Sequence, residues 1–204
     1  MLKGESWRKK LEYFWMYYKT PFLVALAVIA AASYWICAAS AEKASAFYAM
    51  LVDCYSSATE EEMAHEFAGW AGIDTGSYDV TVNASLLFQN ASSNTYAMTS
   101  LSRFYSDIGT EKLDVCGFLE DDFEKYAKTD TFLDLRQCFS KEELDEMDEY
   151  LYIKDGKPLG IYAEGLAGLE KYGCYRKKKA ILGIVYNSGH VKTAAQYLSF
   201  LFLS

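Results

Sequence analysis

The stretch Pro21–Ser40, PFLVALAVIAAASYWICAAS, runs for twenty positions without a charged residue. A helix rises about 1.5 Å per residue, so this run would extend about 30 Å, the thickness of a bilayer's hydrocarbon core. No other part of the chain restricts its architecture so strongly. It predicts a transmembrane helix over 21–40, a short segment 1–20 before it and a body formed by 41–204.

Flanking charge orients the span. Residues 1–20 hold Lys3, Arg8, Lys9, Lys10 and Lys19 against Glu5 and Glu12, whereas 15 basic and 26 acidic residues follow Ser40. Basic flanks stay in the cytoplasm, so 1–20 are expected inside and 41–204 outside the cell membrane, in single-pass topology. Tyr13, Phe14, Trp15, Tyr17 and Tyr18 on one side, and Tyr34 and Trp35 on the other, suit the two interfaces. A cleaved signal peptide would have a shorter apolar core of about 7–15 residues, although Ala39-Ser40-Ala41 has the form of a cleavage site. A lipoprotein would carry a small residue just before its cysteine, and Cys37 follows Trp35-Ile36. The adopted reading is an uncleaved anchor, with the lipid bilayer as its partner.

Residues 41–204 are enough for one compact domain. The chain has two prolines, no Ser/Gly linker and no evident repeat. The acidic balance excludes nucleic acid, whose phosphates such a surface repels. Arg176 to Lys179 form the single basic run of the body and read as a solvated turn before a strand. Cys54, Cys116, Cys138 and Cys174 lack zinc-knuckle spacing, and with two histidines in the chain neither a metal nor another cofactor is implied. An extracytoplasmic location permits a disulfide, but Cys54 and Cys116 fall in apolar runs where a free buried thiol is a common filler.

The body alternates strand and helix. Ala46–Cys54 is a short apolar run suited to a strand covered on both faces. Thr59 followed by three glutamates starts a helix that carries Met63, Phe67 and Trp70 and ends near Gly72. Tyr78–Phe88 opens with strict alternation, a second strand. Ser92, Ser93 or Asn94 can cap a helix running to Gly109. A third strand, 113–118, precedes helices over 120–128 and 140–150. Asp155-Gly156 signals a tight hairpin, 180–186 a last strand, and Asn187 or Ser188 the cap of a final amphipathic helix. The expected fold class is α/β: after the anchor, one three-layer domain around a largely parallel, mixed sheet.

Two segments carry a resemblance. LDVCGFLEDDFEKYA (113–127) with FLDLR (132–136), and ILGIVYNSGHVKTAAQYLSFL (181–201), are similar to stretches of bacterial extracytoplasmic solute-binding proteins of the second structural type. The second segment resembles that family's closing strand, Asn-Ser turn and amphipathic helix. The resemblance implies a periplasmic-binding-protein-like lobe and capture of a small polar ligand or peptide. Family members usually have two lobes that close on ligand by hinge motion. Here the residues between the third strand and the hairpin are too few for a second lobe, so a single lobe is expected.

Catalytic signatures such as G-x-S-x-G, H-E-x-x-H, a P-loop or G-x-G-x-x-G are absent from the sequence, and the chain reads as non-catalytic. His65 and His190 read as surface or capping residues, and Glu120, Asp121 and Asp122 as acids drawn to a helix start. Asn83-Ala-Ser85 and Asn90-Ala-Ser92 match a glycosylation tripeptide that recurs by chance. Ligands of open α/β sheets gather beyond the carboxyl ends of the strands. That rule selects Asp53, Asn83, Ser85, Glu120, Tyr162, Glu164 and Asn187 as candidate ligand-binding residues. The expected function is a membrane-anchored extracytoplasmic domain that binds a small polar ligand or peptide. The alternative is an interaction module of a membrane complex that has lost ligand binding.

Overall fold

The computed structural model describes residues 7–39, 43–89 and 94–203. Lys3, Glu5, Ser40, Ala41, Asn90, Ser92 and Ser93, each invoked above, lie outside the described residues. The chain forms two compact units, divided between Glu42 and Lys43.

The first unit is helix α1, Trp7–Ala39, with Pro21 inside it. It therefore begins well before the apolar run. Its apolar stretch, Trp15–Tyr34, is 20 residues long and none of it is buried. Length and composition are compatible with a membrane anchor, and a signal sequence meets the same criteria.

The second unit is an α/β domain. Its elements are β1 (Ala44–Leu51), α2 (Glu60–Ala71), β2 (Tyr78–Asn83), α3 (Thr95–Gly109), β3 (Val115–Leu119), α4 (Glu120–Ala127), α5 (Lys141–Glu146), β4 (Leu151–Lys154), β5 (Lys157–Tyr162), α6 (Ala167–Tyr172), β6 (Ala180–Ile184) and α7 (Val191–Leu203). The six strands form one sheet in the order β2-β1-β3-β6-β5-β4. β1 is parallel to β2 and β3, and β6 is antiparallel to β3 and β5. The sheet is thus mixed, with β5 pointing the same way as β1, β2 and β3.

Alternation along β1 sorts the layers. Phe47, Ala49 and Leu51 belong to a core shared with α2, α5, α6 and α7. Tyr48, Met50 and Val52 point into the other core, with Phe104 of α3 and Phe123 and Tyr126 of α4. Side chains of a strand alternate between faces, so a strand buried on both sides reads as continuously apolar.

Local signals fix several ends. Thr59 accepts from the Glu62 amide at 3.2 Å while Glu62 accepts from the Thr59 amide at 2.8 Å, a capping box for α2. Ser140 and Glu143 repeat the device at α5. Gly72 closes α2 with a left-handed φ of 68°. Asp155 and Gly156, at φ 51° and 74°, make the two-residue turn between β4 and β5.

Among the expected elements, β2 and the helix over 140–150 fall furthest short of their sequence pattern. β2 stops at Asn83 rather than continuing to Phe88, because the Ala84 and Ser85 amides turn to the Glu60 carboxylate at 2.8 and 2.9 Å. The helix expected over 140–150 ends at Glu146 and gives way to a 3-10 turn at Asp148–Tyr150. α6, a six-residue helix, was not anticipated.

Candidate functional site

The carboxyl ends of β1, β2, β3 and β5 share one edge of the sheet. After β1 the chain crosses to β2 on one side, and after β2 it returns to β3 on the other. The edge between β1 and β3 is therefore the switch point at which open α/β sheets hold ligands.

Asp53 follows β1 there, 1% exposed and at φ 54°. Its carboxylate accepts from the Phe88 amide at 3.2 Å. Burial pushes this carboxyl up from its ordinary range, and the charge of Asp122 adds to that; the Phe88 and Gln89 amides and the charge of Lys178 pull it back. Asn83 Oδ1 accepts from the Ser85 amide and hydroxyl, each at 3.2 Å. With Glu60 holding the same turn and the Tyr96 hydroxyl donating to the Ser85 carbonyl at 2.8 Å, these two residues are committed to loop structure.

Glu120 begins α4 directly after β3. It accepts from the Tyr162 hydroxyl at 3.4 Å and lies 3.9 Å from Lys179 Nζ. Desolvation first, then the Glu120 carboxylate, raise the Tyr162 phenol above its ordinary pKa. Glu164, just past β5, is exposed and lines a cleft of about 600 Å³ with Glu170, Cys174, Tyr175 and the run Arg176 to Lys179.

That cleft wall is built by the loop between α6 and β6. The Tyr175 hydroxyl donates to the Gly117 carbonyl of β3 at 3.0 Å, tying the loop to the middle of the sheet. Tyr175 and Lys177 sit at φ 54° and 58°, backbone settings that ordinary side chains rarely adopt. Lys178 Nζ rests 5.0 Å from the Tyr55 ring centroid, and Lys179 reaches Glu120. The basic run is thus a wall of the cleft as well as a turn before β6.

Asn187 is a correction. β6 runs antiparallel to β3, so the end of β6 lies at the opposite edge of the sheet. There Asn187 Nδ2 donates to the Ile108 carbonyl at 2.9 Å. Its neighbours form a separate polar knot around Asp114, which is fully buried. Asp114 accepts from the Tyr48 amide at 2.9 Å and the Ser188 hydroxyl at 2.6 Å, and His190 Nδ1 lies 3.3 Å away. This knot joins β1, β3 and the start of α7, and it uses His190 as structure.

Asp53, Glu120, Tyr162 and Glu164 therefore share the expected edge, Asn83 and Ser85 brace a loop beside it, and Asn187 is elsewhere. Sequence reasoning overlooked Cys174, Glu170 and the basic wall. Their signal was a block of four cations in a domain otherwise dominated by acids. A second groove, about 740 Å³, is lined by Glu61, Glu62, His65, Glu66 and Lys171. Within it Glu62 is occupied by the capping box, and Glu66 by Lys171 at 2.6 Å and by the Tyr172 hydroxyl. Among the described residues no group of three or more His, Cys, Asp or Glu side chains is placed to hold a metal ion. No protein-family model, no curated protein and no solved structure matches this chain.

Proposed function

We propose that this chain is a single-pass, membrane-anchored extracytoplasmic domain that binds a small polar ligand in the cleft beyond β3 and β5, without catalysing a reaction. The observation that carries the reading is the lining of that cleft. Arg176, Lys177, Lys178 and Lys179 face Glu164 and Glu170 at the carboxyl edge of an otherwise acidic domain. A net basic lining favours ligands bearing a carboxylate or phosphate, and the tyrosines and glutamates supply further hydrogen-bond partners. The solute-binding-protein resemblance supports the same reading: β6, the Asn187-Ser188 turn and α7 follow one another in the order it implies. The apolar stretch of α1 and the charge difference between its flanks support the anchor and its orientation.

The test is thermal unfolding of the full chain in detergent against a panel of small carboxylates, phosphate esters, amino acids and sugars. An acidic compound is expected to raise the melting temperature; at a hundredfold excess over Kd it adds about 2.7 kcal/mol. The double substitution Arg176→Ala, Lys178→Ala should abolish that shift and leave the unliganded melting temperature within a few degrees. Failure of every compound would overturn the ligand reading in favour of a protein-interaction module.

A further inference from the structure

Cys54 lies just beyond β1, and Cys174 lies just beyond α6. Both are buried, 4% and 5% exposed, and both belong to the same core. The segments that carry them are stitched together at one carbonyl. The Ser57 amide, the Ser57 hydroxyl and the Ser56 hydroxyl donate to Tyr172 O at 2.7, 2.8 and 3.2 Å. Within that seam each thiol shifts the titration of the other, and neither is in a disulfide. The remaining described thiols are placed differently. Cys116 is in the core on the other face of the sheet, and Cys138 donates to the Leu135 carbonyl at 3.4 Å.

The two sulfurs are not equivalent. The neighbouring Cys54 thiol first, and the Ser56 side chain after it, lower the Cys174 thiol below its ordinary pKa against the effect of burial. The nearby Cys174, with desolvation, raises Cys54. Cys174 is also the one that lines the cleft. It is therefore the better thiolate of the two and the one on the cleft wall, where an incoming small disulfide would meet it first.

We propose that Cys54 and Cys174 form a redox-active dithiol that closes to an intramolecular disulfide, pinning the basic cleft wall to the carboxyl end of β1. The oxidant is a low-molecular-weight disulfide of the glutathione class. The Cys174 thiolate attacks one sulfur of that disulfide, whose S–S bond breaks and whose other half leaves as a thiolate that takes up the proton lost by Cys174. The Cys54 thiol then gives up its proton and attacks Cys174 Sγ in the mixed disulfide. The second small thiol leaves and takes that proton. Two electrons and two protons have passed from the protein to the oxidant, and one protein S–S bond has formed. The inference does not depend on what the cleft binds, so the ligand screen and this test fail independently.

The test is to equilibrate the folded full chain in detergent with glutathione disulfide, or with dithiothreitol, and then to quench each sample in denaturant with an alkylating agent. Intact mass counts the free thiols, and peptide mapping identifies any cross-link. The oxidised sample is expected to lose two alkylation sites relative to the reduced one, with Cys54 joined to Cys174. Cys54→Ser should trap Cys174 as a mixed disulfide with glutathione. Should that variant fail to fold, the wild-type map alone decides. All five cysteines alkylated after oxidation, or a cross-link joining any other pair, overturns the proposal.

Discussion

Asp53 shows how one residue can meet a backbone demand and an electrostatic one at the same place. Its φ of 54° is a setting that Asp and Asn tolerate better than other non-glycine residues. Its carboxylate is buried against the Phe88 amide. Desolvation by burial leads the influences on this group and raises its pKa above the usual value of about 3.9. The folded state therefore holds the proton more tightly than the unfolded state. The resulting stabilisation is complete below the unfolded pKa and is lost as pH rises through the elevated native value. Asn keeps an acceptor oxygen for the Phe88 amide and accepts the same φ, but it does not titrate. Asp53→Asn should therefore gain on the wild type as pH rises from about 4 to about 7, read as the difference in urea midpoints at the two ends of that range. An equal pH dependence in both proteins would refute the assignment.

Among the elements, β5 and β6 meet at two glycines that allow aromatic rings to approach the sheet closely. A Cβ on Gly160 would stand 2.5 Å from the Leu182 carbonyl oxygen and 2.8 Å from Phe123 Cζ. One on Gly183 would stand 2.7 Å from Phe132 Cδ1. Phe123 and Phe132 stack above them with centroids 4.1 Å apart and planes 6° from parallel. Since backbone oxygen cannot move aside as a side chain can, Gly160→Ala should destabilise the domain by about 1–3 kcal/mol, measured by urea unfolding with the slope unchanged. This packing was invisible in sequence, because it depends on which strands pair and where α4 crosses them. What was legible was local: the Thr59 box, the Asp155-Gly156 turn and the unbroken apolarity of β1 and β6 each depend on neighbours in the chain. β2 was read too long because Glu60, from another element, captures its last amides. The same division governs the site. Asp53, Glu120, Tyr162 and Glu164 could be found from strand ends alone. Asn187 misled because the direction of β6 depends on pairing with β3, and the basic wall and Cys174 are placed at the cleft by long-range bonds such as those from Tyr175 to Gly117 and from the Glu120 amide to the Lys179 carbonyl.

At the scale of the whole molecule, the two compact units make different demands on their surroundings. The unit from Lys43 onward covers both faces of its sheet with its own helices. Lys43 itself belongs with it, because its ammonium donates to the Thr75 carbonyl. Helix α1, by contrast, exposes an apolar stretch of 20 residues. Water penalises such a surface at roughly 25 cal/mol per Å² of apolar area, and a bilayer removes that penalty. Two outcomes should follow when the full chain and a chain beginning at Lys43 are expressed side by side. The full chain should stay with the membrane fraction through an alkaline carbonate wash, with its N-terminus intact by mass. The shorter chain should appear in the soluble fraction with a mixed helix-and-strand circular dichroism spectrum and a single cooperative unfolding transition. A shorter chain that still sediments with membranes would assign lipid binding to the α/β domain. A full-length product that matures to begin after Ala41 would make α1 a signal sequence, and the anchor would be lost from the proposed function while the cleft and its ligand test remained.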